Sequence, residues 1–203
     1  MASQNLSIRL ATIGDAGAIL DIYSHYINNT AITFEQEVPT AEEFHERMIG
    51  IMAEYPYIVC EDGGRVIGYA YAHRHQSRAA YGYSAEISVY LRPQYIGLGI
   101  GRVLCRALID LLRRQNVQTV YSAVSLPNDP SCAMHEALGF TRAGVWHNTG
   151  RKQGRWIDIV WFEKTIGEYP DSPSPVLPFD GMDKPTVIGL LRHYSRELSS
   201  GER

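Results

Sequence analysis

The order of elements along the chain predicts an α+β fold built on a mixed sheet. Three observations carry this. Short apolar runs rich in β-branched and aromatic residues alternate with segments of helical period, in the order β-α-α-β-β-β-α-β-α-β-β. A glycine-rich turn links one of those strands directly to a strongly amphipathic helix. The length, 203 residues, suits one domain with a full hydrophobic core and a short appendage.

Ser7–Leu10 reads as a short strand. Thr12-Ile-Gly-Asp15 leads into a helix carrying Ile19, Leu20, Ile22, Tyr23, Tyr26 and Ile27 at helical spacing. Asn28-Asn29-Thr30 opens a loop that holds Thr33-Phe34-Glu35 and ends near Pro39. Thr40-Ala-Glu-Glu43 matches a capping box, which predicts a second helix to about Ile51. Tyr57–Glu61 and Val66–Arg74 flank Asp62-Gly63-Gly64, a hairpin signal. Ala85–Leu91 is the next strand. Beyond the glycine turn, Val103, Leu104, Ala107, Leu108, Leu111 and Leu112 share one helical face. Thr119–Ser125 is a buried-type strand, and Pro130–Leu138 a short helix ending at Gly139. Val145–His147 and Trp156–Lys164 form the last strand pair around a loop at Asn148–Arg155. Residues 1–166 thus make the domain. From Gly167 on, Pro170, Pro173, Pro175 and Pro178 give a linker, and Pro185–Leu198 has room for one amphipathic helix. The tail 167–203 packs on the domain or a partner subunit, or stays disordered.

Hydrophobic residues are 45% and charged residues 20%, with a net charge of −3. That balance gives no drive toward nucleic acid or anionic membrane, and no stretch is long and apolar enough to span a bilayer. The start, Met-Ala-Ser-Gln-Asn, carries no export leader pattern. Cys60, Cys105 and Cys132 are an odd set that fits neither a disulfide framework nor a metal site, which points to a reducing cytoplasm. His73 and His75 alternate on one strand without companion ligands, so no metal is expected.

Glycines 97, 99 and 101 follow a strand and open a helix. The first amides of a helix lack internal partners and lie at the positive end of its dipole, so such a turn binds phosphate. Arg102 stands where a dinucleotide fingerprint needs glycine, and no Gly-Lys-Ser/Thr is present. The turn alone fits a phosphate site or a plain strand-to-helix connection.

Four motifs in order resolve that choice. Gln94-x-x-Gly97-x-Gly99 after Ser88-Val-Tyr-Leu-Arg-Pro93 resembles the pyrophosphate loop of the GNAT superfamily of N-acetyltransferases. Ala85-Glu86-Ile-Ser-Val-Tyr90, Leu126-Pro-Asn-Asp-Pro-Ser131, His135-Glu-Ala-Leu-Gly-Phe140 and Gly150-Arg-Lys-Gln-Gly-Arg-Trp-Ile-Asp158 are similar to its phosphinothricin and methionine sulfoximine N-acetyltransferase branch. The likeness covers about residues 7–165. It implies a three-layer α/β/α sandwich whose mostly antiparallel sheet has splayed central strands. It also implies acetyl-CoA as co-substrate, with Val89, Tyr90 and Leu91 offering backbone to pantetheine. Tyr95, Ile96, Gly97, Leu98, Gly99, Ile100 and Gly101 would hold the pyrophosphate, and Asn128 and Ser131 would lie beside the arm. It further implies a homodimer.

Acetyl transfer needs a neutral amine, a polarised thioester carbonyl and a proton for the leaving thiolate. Glu86 is the expected base by resemblance; the plain reading is a strand-edge carboxylate. An amide at or near Val89 is expected to polarise the carbonyl. His135 stands where many relatives carry tyrosine, and is either a proton-handling residue or a packed helix histidine. For a small amino-acid-like acceptor, Arg78 suits a carboxylate or phosphinate. Phe34 and Glu35 lie on the covering loop, and Tyr81 and Tyr83 are candidates for the pocket wall. Lys152 and Arg155 sit in the loop that, by resemblance, approaches the pocket or the pocket of the second subunit, while Trp156 and Trp161 are expected to pack. The alternatives are another amine acceptor (polyamine, aminoglycoside or protein N-terminus) and an acyl-CoA sensor without catalysis.

Overall fold

The computed structural model describes residues 5–200. Residues 1–4, most of the start read as lacking a leader, and 201–203 of the tail lie outside it.

A seven-stranded mixed sheet runs in the order β1-β2-β3-β4-β5-β7-β6. The strands are β1 (Leu6–Leu10), β2 (Tyr57–Asp62), β3 (Arg65–Arg74), β4 (Ser84–Leu91), β5 (Thr119–Ser125), β6 (Thr141–Lys152) and β7 (Arg155–Thr165). All neighbours are antiparallel except β4 and β5. The helices are α1 (Ala16–Asn29), α2 (Ala41–Glu54), α3 (Ile100–Arg114), α4 (Asp129–Ala137) and α5 (Lys184–Ser200).

Period-two alternation divides the core between the two faces. On β2, Tyr57 and Val59 pack with α1 and α2 in one cluster, while Ile58 and Cys60 pack with α3 in the other. A register shift leaves Ile67 as the extra residue of β3, between the pairs Cys60–Gly68 and Glu61–Val66. The predicted capping box exists: Thr40 Oγ1 accepts from the Glu43 amide at 3.2 Å, and the Thr40 amide donates to Glu43 Oε2 at 2.8 Å.

Several boundaries differ from the prediction: α2 continues to Glu54 and β6 begins at Thr141 rather than Val145. Asn148–Arg155 is not a loop. β6 runs on to Lys152 across a register shift between Trp146 and Gly150, and turns at Gln153-Gly154. Both turn residues have positive φ, 50° and 78°, which suits the right-handed twist of a two-residue hairpin. The tail is helical over Lys184–Ser200 and buries Val187, Leu191, Tyr194 and Leu198 in the α3 cluster. Ser195 Oγ accepts from the Ile8 amide at 2.8 Å, and Ser199 Oγ donates to Leu6 O at 3.2 Å. A helix thus meets the outer backbone groups of β1 with hydroxyls.

Candidate functional site

β4 and β5 pair only over Ser84–Glu86 and Thr119–Tyr121. Beyond those residues the strands part. The resulting cleft is lined by Ile87–Tyr90 of β4, Ser122–Ser125 of β5, and Asn128, Ser131 and His135 of the α4 segment, with Ile32 at its mouth.

The register fixes which backbone groups face this cleft. The Arg92 amide donates to Ile67 O across the β3 side. Alternation then turns Ser88 and Tyr90 toward β3 and Val89 and Leu91 toward the cleft. Tyr26 of α1 occupies Leu91: its hydroxyl donates to Leu91 O at 2.5 Å and lies 3.4 Å from the Leu91 amide. Of the three residues expected to present backbone to a pantetheine arm, Val89 turns its backbone to the cleft, Tyr90 faces β3, and Leu91, also turned to the cleft, is held by Tyr26.

Below the cleft, Gly97 and Gly99 adopt φ of 81° and 78°, a region that carries no steric penalty only for glycine. Gly99 is the residue before α3, so the amides of Ile100, Gly101 and Arg102 open the helix without intrahelical acceptors. Gly101 lies close under its neighbours: a Cβ there would sit 3.4 Å from Met134 Sδ and 3.9 Å from Val89 Cγ2. Ile96 and Leu98 are exposed, and the Tyr95 hydroxyl donates to Asp62 Oδ2 at 3.0 Å. An unpaired strand segment, a positive-φ turn and a helix start in succession fit a thiol arm followed by a pyrophosphate. Asn128, which caps α4 by accepting from the Ser131 amide at 3.4 Å, forms the opposite wall.

His135 is 3% exposed. It stacks on Phe162, with ring centroids 5.1 Å apart, and meets Phe140 edge-on. Its Nδ1 lies 2.8 Å from Ser131 O, so Nδ1 carries the proton and Nε2 a lone pair. Burial depresses its pKa below the ordinary value, more than the bond to Ser131 raises it. The resting imidazole is neutral, and its free nitrogen accepts rather than donates.

Glu86 projects from β4 on the α1/α2 face, opposite in parity to the buried Ala85 and Ile87. Its side chain is 18% exposed and lies between two imidazoles, with His73 Nε2 at 3.9 Å from Oε1 and His75 Nδ1 at 3.6 Å from Oε2. His75 stacks on Tyr121 at 4.3 Å and meets Tyr81 and Trp161 edge-on. The sequence reading weighed these histidines only as metal ligands. Their closeness to Glu86 follows from the pairing of His73 with Glu86, which needs the register. Among the described residues no group of three His, Cys, Asp or Glu side chains gathers as a metal site.

The covering loop is fastened from both sides. Glu35 accepts from Arg47 of α2 at 2.6 Å and from the Tyr23 hydroxyl at 3.2 Å. Phe34 lies flat against Gly150 of β6, where a Cβ would come within 2.3 Å of its ring. Lys152 is buried and donates to Thr33 O at 2.8 Å; burial lowers its pKa. Arg47 carried no signal as a site residue in the sequence.

The remaining candidates divide. Arg78 is exposed on the connection between β3 and β4, and its carbonyl accepts from the Tyr81 amide. Tyr81 joins the same connection to His75. Tyr83 stands apart: its hydroxyl donates to Pro173 O at 3.4 Å, on the linker side of the sheet. Trp161 packs against Trp146, whereas Trp156, expected to pack, is 61% exposed, and Arg155 beside it is exposed too.

Residues 8–161 match the model of the acetyltransferase (GNAT) domain family. The chain is 36% identical over 173 residues to a phosphinothricin N-acetyltransferase of Streptomyces viridochromogenes, covering 85% of this chain and 94% of that one. It is 32% identical to an L-methionine sulfoximine/L-methionine sulfone acetyltransferase of Salmonella typhimurium, over 82% and 99% of the two chains. Among solved structures, a GNAT superfamily phosphinothricin acetyltransferase from Sinorhizobium meliloti in complex with AcCoA superposes with a TM-score of 0.80 at 31% identity. It covers 86% of this chain and 98% of that one.

Proposed function

The chain belongs to the GNAT acetyltransferase family and is an acetyl-CoA-dependent N-acetyltransferase, and from that premise we propose that it acetylates the α-amino group of a small free amino acid, with Glu86 as base. The observation that carries this reading is the place of Glu86: on β4, at the last residue paired to β5, where the acyl-donor cleft begins. The tetrahedral-headed amino acids named for the relatives, phosphinothricin and methionine sulfoximine, set the expected acceptor class.

Acetyl-CoA supplies an activated acyl group at the cleft. In the proposal, the amides of Gly97 to Gly101 hold the pyrophosphate, the Ile96 amide being committed to Pro93 O at 3.2 Å, and Asn128 and Ser131 border the arm. The Val89 N–H donates to the acyl carbonyl and meets the charge that develops there. Glu86 takes the proton from the acceptor ammonium, directly or through one water. Arg78 binds the acceptor carboxylate or head group, under a cover formed by Phe34 and Glu35, with Tyr81 at the wall. His135, neutral at rest, contributes as a proton donor only after gaining a proton at Nε2. The proposed assembly is a homodimer through the β6 edge. Support comes from exposed Val145, Trp146 and Trp156, at 39%, 54% and 61%, an apolar surface uncommon at a solvent-facing edge. No helix among the described residues is long and apolar enough to cross a membrane. The three cysteines are buried, with the Cys105 thiol pushed up to about 12 by burial, in keeping with a proposed cytoplasmic site.

The test is release of free thiol from acetyl-CoA against a panel: phosphinothricin, methionine sulfoximine, methionine sulfone, common amino acids, a polyamine, an aminoglycoside and a peptide N-terminus. Highest kcat/KM for one of the first three supports the acceptor class. Highest kcat/KM for a polyamine, aminoglycoside or peptide overturns it.

A further inference from the structure

The Nδ1 atom of His75 is buried and has no hydrogen-bond partner among the described residues. Buried polar atoms in folded proteins are almost always paired, so an orphan beside a candidate base calls for an explanation. The nearest charged group is Glu86 Oε2, at 3.6 Å. His73 offers no equivalent contact. Its own Nδ1 lies 3.0 Å from Arg74 O and so carries the proton, which turns a bare lone pair toward Glu86 from Nε2 at 3.9 Å. Two like lone pairs do not bond.

We propose that His75 is the positioning residue of the base: in its Nδ1–H form it donates to Glu86 Oε2 and keeps the carboxylate aimed at the acceptor amine. This rests on the reading of Glu86 as base. The ring is fixed for the task from outside the strand pairing, by its stack on Tyr121 at 4.3 Å and its edge contacts with Trp161 and Tyr81. Catalytic hydrogen bonds are often long before substrate binds and tighten in the complex, which accounts for 3.6 Å. Other ionisable groups surround the pair. Tyr71 and His73 approach from β3, Tyr81 from the connection and Tyr121 from β5. Glu163 of β7 lies beyond Tyr121, and the Glu35–Arg47 pair beyond Tyr71. None of these places a donor hydrogen toward Glu86 from a buried, unpartnered atom.

The decisive measurement is the titration of the Glu86 side-chain carboxyl, followed by carbon-13 NMR in protein labelled at glutamate and assigned with E86Q. In H75F, which keeps a ring against Tyr121 and removes the donor, the midpoint should rise by about one pH unit. H75N places an amide N–H where Nδ1–H stands and should restore it. In the acetyl-CoA and phosphinothricin assay, kcat of H75F should fall roughly tenfold while the KM for acetyl-CoA holds, as expected for loss of one hydrogen bond to a charged group. An unchanged Glu86 midpoint in H75F overturns the inference, and so does a raised midpoint that H75N fails to restore, which would mark a packing role. Full activity of E86Q removes the base itself, a separate outcome from either.

Discussion

The two sides of the β4–β5 cleft are built from different materials. The proposed acyl-donor side is mostly backbone: the Val89 strand segment, the turn at Gly97 and Gly99, and the first amides of α3. The proposed acceptor side is mostly side chains, gathered from β3, β4, β5, α2 and the loop over Phe34 and Glu35. Backbone recognition tolerates many side chains as long as the φ angles are met. Side-chain recognition depends on each residue and its partner. The first side should therefore answer to conformation, the second to chemistry.

Substitutions can break that division. The largest effect is expected from Glu86→Gln, which should cut kcat by roughly a hundredfold or more and leave acetyl-CoA binding almost intact. Calorimetric titration with acetyl-CoA beside steady-state kinetics measures both, and a matching loss of binding would merge the two sides. Gly97→Val comes next. A Cβ at Gly97 meets no atom within 4 Å, so the cost is purely conformational. A β-branched residue in this region loses about 1–2 kcal/mol, read by chemical denaturation, and should weaken acetyl-CoA about tenfold. The acceptor KM should hold; a parallel rise would deny that the donor side acts alone. Arg78→Ala should raise the acceptor KM by roughly fivefold, a modest effect because Arg78 is exposed, with little change for acetyl-CoA.

The smallest effect concerns His135 and pH. Its folded pKa lies below the ordinary 6.5 because of burial. Above pH 6.5 the ring is neutral in both folded and unfolded chains and adds no pH dependence. As pH falls through 6.5 the unfolded chain takes up the proton first, so stability declines until the lowered folded value is passed. His135→Phe should flatten that decline in melting temperature between pH 7.5 and 5.5, and an unaltered slope would rule out His135 as its source.

The same contrast governs what could be read in the sequence. The backbone side was legible because its signals are local: Gly97 and Gly99 at a strand end and an amphipathic helix after them. On the proposed acceptor side, Glu86 stands out in the sequence only through the motif around it. Its pairing with His75 depends on a residue beyond the end of β3, folded back against Tyr121 of a strand 46 positions later in the numbering. Arg47 meets Glu35 only once α2 has docked. Tyr83 shows a limit of a different kind, since it lies in the turn before β4, where strand alternation is no guide to its face. The hairpin at Gln153-Gly154 was missed because the polar, glycine-containing stretch from Asn148 to Arg155 lacks the alternation that marks a strand.

The serines of α5 have a consequence for assembly. A sheet has two ends, and each end with free backbone groups is a place where another strand can add. Ser195 and Ser199 consume that capacity at β1, leaving the β6 end available. A unit with one reactive end joins one like unit and then stops, as a chain terminator does in a polymerisation. A unit with two goes on adding. In the proposed homodimer, the C-terminal helix thereby sets the valence of the sheet at one, and restricts edge-to-edge growth to a closed pair.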